Sequence, residues 1–135
     1  MMVREHMLQD NPVAWRKIHW WIGLFTLAAF VSAGVFMRFV AHVPDLPDAE
    51  RLVYRSRFLL LLMAGLANFG LSKGGPASTL DQIASAIVMI SPLTLAIAFL
   101  RDPAFGVHGS LLTTWTMRGL FAAAVLFAIA RRPRI

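Results

Sequence analysis

Cysteine is absent from this 135-residue chain, which excludes disulfides, thiolate metal centres, iron–sulfur clusters and a cysteine nucleophile. Acid is scarce: seven Asp and Glu stand against thirteen Lys and Arg. None of the seven lies in the core of a long apolar run. That removes the usual carboxylate of proton-coupled transport and leaves no paired acid and base for chemistry within a membrane. No zinc-protease helix, phosphate-binding glycine loop or nucleophile elbow occurs, and Ser85, Ser91 and Thr94 share their apolar run with no His or Lys. No catalytic residue and no metal site can therefore be assigned, and the three hydroxyls are expected to bond backbone carbonyls or line helix contacts.

What fills the chain instead is apolar. The hydrophobic fraction is 58% and the charged fraction 15%, far from the roughly 45–50% and 25% of soluble domains. Four long apolar stretches with short polar connectors predict an all-α polytopic membrane protein, a single four-helix transmembrane bundle over residues 1–135. The spans are expected at about 18–40, 52–72, 79–100 and 111–130. Trp20 and Trp21 suit a headgroup anchor at the start of the first span. The core of the second, Phe58 to Ser72, covers only about 22 Å, short of a roughly 30 Å hydrocarbon layer. It must borrow length upstream, so one helix from about Pro47 to Ser72 is expected, with proline and acids in its first turn. Ser78-Thr79-Leu80-Asp81 reads as a capping box opening the third span. Pro92 should kink that span, freeing the Val88 carbonyl for Ser91 or a neighbouring helix, and Arg101-Asp102-Pro103 should end it.

The net charge of +6 does not point to nucleic acid, because the cations sit at span ends, where the bilayer and anionic lipid are the nearer partners. An even number of spans places both termini on one side. Arg4, Arg16, Lys17, Lys73, Arg131, Arg132 and Arg134 share that side, one more cation than the six opposite, so both termini are expected in the cytoplasm.

The candidate site residues follow from helical spacing. Arg57, Leu61, Ala64, Asn68 and Ser72 form one stripe on the second span, with Gly65 beside it. Asn68 and Ser72 are assigned to helix packing, together with small-residue seams at Ala29 and Ala33 and at Gly119 and Ala123. Arg118 lies roughly 10 Å inside the fourth span and should lean back over Trp115. Arg38, Arg55, Arg57 and Arg118 all approach one membrane face and form a candidate anion or lipid site, the alternative being pairing of Arg55 and Arg57 with Asp45, Asp48, Glu50 or Asp102. On that face His42 and His108 are the only pair that could hold haem, while His19 lies at the opposite end.

These residues predict a non-enzymatic accessory, scaffold or lipid-contacting membrane subunit that acts alone, as a homo-oligomer or with a membrane-protein partner. Two alternatives remain: a redox component binding haem or quinone near His42, His108, Arg38 and Arg118, and an oligomeric channel or transporter lined by the Arg57, Asn68 and Ser72 stripe.

Overall fold

The computed structural model describes residues 12–105 and 111–131. It consists of four helices: α1 (Pro12–Phe39), α2 (Asp48–Leu71), α3 (Thr79–Phe105) and α4 (Leu111–Ala130), with a single 3-10 turn at Val43–Asp45. The shortest, α4, has 20 residues, which at 1.5 Å each is about the 30 Å of a hydrocarbon layer. All four are long and apolar enough to cross a membrane. No strand occurs among the described residues.

The helices alternate in direction and pack in series, α1 on α2, α2 on α3 and α3 on α4, with α1 also touching α3. Among the described residues α4 rests on α3 alone. The start of α1, the end of α4 and the 72–78 connector lie at one end, the terminal face; the 40–47 connector and the start of α4 lie at the other, the distal face.

Local chemistry explains the boundaries. Pro47 precedes the first turn of α2, where Asp48 and Glu50 meet the positive end of the helix dipole. Ser78 Oγ accepts the Asp81 N–H at 3.2 Å, half of a capping box, while the Asp81 carboxylate reaches back to the Ala77 N–H at 3.0 Å rather than to Ser78 itself. α3 runs through Pro92 and through Pro103 to Phe105. The stop expected at 101–103 is thus displaced: a proline removes one donor and crowds one carbonyl without forcing termination. Between α1 and α2 the chain reverses at His42, the only described non-glycine residue with positive φ (47°).

Packing follows the small-residue logic of membrane helices. A Cβ on Gly23 would lie 3.2 Å from the Phe69 ring and backbone nitrogen, and one on Gly65 would lie 3.2 Å from Leu27. These two glycines therefore set the close approach of α1 and α2. Ala33, Leu61, Ala64, Leu95 and Phe99 form a core shared by α1, α2 and α3, to which Phe30 and Phe58 add a stacked pair at 4.1 Å. Ala84, Val88 and Ala123 join α3 to α4. Large apolar side chains such as Phe25, Val31, Leu59, Leu93, Leu100 and Phe121 remain outside. Lipid is the solvent that such a surface requires.

Candidate functional site

Because each helix is apolar, its few polar side chains must find one another: Thr116 Oγ1 of α4 donates to Thr94 Oγ1 of α3 at 2.8 Å, and larger groups form at mid-bundle and at each face. At mid-bundle, near the terminal half, Asn68 of α2 donates both amide hydrogens, to Ala64 O at 2.9 Å and Val88 O at 3.2 Å. Val88 is the residue whose carbonyl Pro92 leaves without its helical donor, and Ser91 Oγ donates to it as well at 2.9 Å. With its nitrogen so committed, Asn68 must present Oδ1 to His19, 2.8 Å from Nδ1. His19 therefore carries its proton on Nδ1. Its Nε2 is buried without a partner among the described residues, in a residue only 1% exposed. Three helices are clasped by one amide.

At the distal face, Asp102 of α3 is 4% exposed and receives Arg57 Nε from α2 at 2.6 Å and Thr113 Oγ1 from α4 at 2.9 Å. At the terminal face, Asp81 of α3 is fully buried and faces Arg131, at the end of α4, with Nε 3.4 Å from Oδ1. Arg16 Nε donates to Ser72 O at 3.1 Å, tying α1 to the end of α2. Each end of α3 thus carries a buried carboxylate that an arginine from a neighbouring element neutralises.

The four candidate arginines consequently separate. Arg57 is held by Asp102. The Arg118 guanidinium stands 5.3 Å from the Trp115 ring centroid, one turn back toward the distal face. Arg38 from the last turn of α1 and Arg55 from α2 line a common groove of about 270 Å³, with Gly34, Met37, Val43, Pro44 and Phe58 as its other walls. Both are exposed, and neither meets a carboxylate among the described residues. The nearby acid Asp48 instead engages Arg51 within α2.

His42 is exposed on its left-handed turn, and His108 lies outside the described residues. Ser72 Oγ bonds Phe69 O at 2.7 Å within its own helix, so its link between helices runs through its carbonyl and Arg16. Among the described residues, no three His, Cys, Asp or Glu side chains are grouped to hold a metal. Sequence reasoning did not anticipate the His19–Asn68 pair or the burial of Asp81. The signal available for the first was spacing: His19, Gly23, Thr26 and Ala33 are the buried positions of α1 and recur at helical intervals.

The geometry defines a multi-pass integral membrane protein whose only unpaired cationic cluster at the distal face, among the described residues, is Arg38 with Arg55. No protein-family model, curated protein or solved structure matches the chain.

Proposed function

We infer that the protein is a non-enzymatic accessory subunit or scaffold of the membrane that holds an anionic lipid headgroup at its distal face. The observation that carries the reading is the convergence of Arg38 and Arg55 on one groove lacking a carboxylate. An arginine fork matches a phosphodiester in geometry as well as charge. Below the two cations, Gly34, Met37 and Phe58 offer apolar surface of the kind a lipid glycerol and upper acyl chain require. Arg57 and Arg118 support this arrangement from outside it, one fixing α2 to α3 and the other anchoring α4 at the interface. Both termini face the cytoplasm in this reading, as the excess of cations at the terminal face favours; a reporter fused after Ile135 should be active only inside.

At about 1 kcal/mol for each interfacial cation, the pair contributes roughly 2 kcal/mol, or about thirtyfold preference for an anionic over a zwitterionic lipid. Native mass spectrometry of the protein in mild detergent with phosphatidylglycerol and phosphatidylcholine tests this. The Arg38→Gln/Arg55→Gln variant should lose most of the preference, and wild-type retention would count the site out.

A further inference from the structure

The serial packing leaves α2 and α4 apart, and between them runs a groove of about 550 Å³, backed by Val88 of α3. Its α2 wall extends from Leu60 to Leu71, about 16 Å along the helix axis. That is half of a roughly 30 Å hydrocarbon layer, the depth of one leaflet. The small side chains Ala67 and Ala124 keep it open, and Arg131 closes its terminal-face end.

We propose that this groove binds one acyl chain of an anionic phospholipid from the terminal-face leaflet, with the lipid phosphate on Arg131. This is a second lipid site, in the opposite leaflet from Arg38 and Arg55, and it depends on the membrane setting but not on that first site. Volume selects the occupant. Counting a methylene at roughly the 30 Å³ of a water molecule, 550 Å³ accommodates about eighteen carbons, one long acyl chain.

Charge selects the headgroup. The Arg131 guanidinium lies 5.1 Å from the centroid of Phe127, whose ring also lines the groove, so the cation is held at the groove's end. Asp81 takes only Nε, from the buried side: its side chain is 1% exposed against 51% for Arg131. The two terminal nitrogens of Arg131 meet no protein acceptor among the described residues. They leave a bidentate donor edge for a lipid phosphate.

The test is lipid counting by native mass spectrometry of the full chain in mild detergent with phosphatidylglycerol. Ala67 and Ala124 are exposed, so Ala67→Phe/Ala124→Phe fills the groove without entering the core; circular dichroism and thermal unfolding check that it folds. The filled variant should bind one phosphatidylglycerol fewer, in wild type and in the Arg38→Gln/Arg55→Gln background alike. Arg131→Gln, combined with Asp81→Asn so that no buried carboxylate loses its cation and checked for folding in the same way, should reduce the groove's preference for phosphatidylglycerol over phosphatidylcholine about fivefold, the worth of one interfacial cation. An unchanged lipid count in the filled variant in both backgrounds would overturn the proposal, whatever becomes of the first site. So would a dimer that dissociates while the count holds, since a second copy would then occupy the groove. Unchanged headgroup preference in the folded Asp81→Asn/Arg131→Gln variant would overturn the assignment of the phosphate.

Discussion

Replacing Asn68 with leucine should expose how the bundle is clasped, because the consequences of losing each of its bonds differ. The Ala64 carbonyl remains engaged by the helix itself, whose i→i−4 ladder includes it. The Val88 carbonyl, already deprived of a donor by Pro92, keeps Ser91 Oγ at 2.9 Å. Only the His19 Nδ1–H loses its sole partner, in a ring 1% exposed. A buried donor left unsatisfied costs about 1–3 kcal/mol, and interhelical hydrogen bonds in membranes contribute about 0.6 and at most 1.7 kcal/mol. We therefore expect Asn68→Leu to destabilise by roughly 2 kcal/mol. His19→Phe alone should cost less, since Asn68 retains both carbonyls, and His19→Phe/Asn68→Leu should be more stable than the sum of the singles by about 1 kcal/mol. Reversible unfolding in mixed micelles, run as a double-mutant cycle, measures that coupling. Strict additivity would refute the clasp.

Three further outcomes follow from the same geometry. Arg57→Met leaves the buried Asp102 carboxylate without its principal cation and should cost about 3 kcal/mol; adding Asp102→Asn should restore about half of the loss in the same unfolding assay. Gly23→Leu, whose first added carbon already lies 3.2 Å from Phe69, should destabilise by about 2 kcal/mol, whereas Gly70→Ala, with nothing within 4 Å, should change stability by less than about 0.5 kcal/mol. His42 sits at φ 47°, where a β-carbon costs about 1–2 kcal/mol and glycine's extra chain entropy about 0.5–1. Thermal unfolding should accordingly show His42→Gly slightly stabilised and His42→Val destabilised.

The helices were legible in the sequence because lipid imposes length and apolarity on any segment that crosses it. Even the Val88 carbonyl could be anticipated, since proline's missing donor identifies the acceptor four residues back. What the sequence did not disclose depends on helix rotation and order. His19 and Asn68 are 49 residues apart, and nothing local says that their faces meet. Arg57 and Arg55 look equivalent as cations at the start of α2, yet two positions along a helix are about 200° apart, and only Arg57 turns toward Asp102. Asp81 read as a capping acid, which it is, but its neutralisation by Arg131 required α4 to lie against α3.

The distribution of buried polarity bears on what such a bundle can do. α3 carries both carboxylates, and each is matched by an arginine from a neighbouring element. Among the described residues, the polar groups of Asn68, His19 and Ser91 at mid-depth are bonded to carbonyls and to each other, apart from one imidazole nitrogen. Removing either arginine would take from a buried carboxylate the cation it meets here, so the pairs resist any rocking of α2 or α4 about α3 that would separate them. Alternating access requires such rocking, and a rigid frame does not. Cations that meet no carboxylate among the described residues are found at Arg38 and Arg55 on the distal face, while Arg131 at the terminal face engages Asp81 through Nε only. A frame fixed within and cationic at its rims is the arrangement that the lipid-holding role we propose requires.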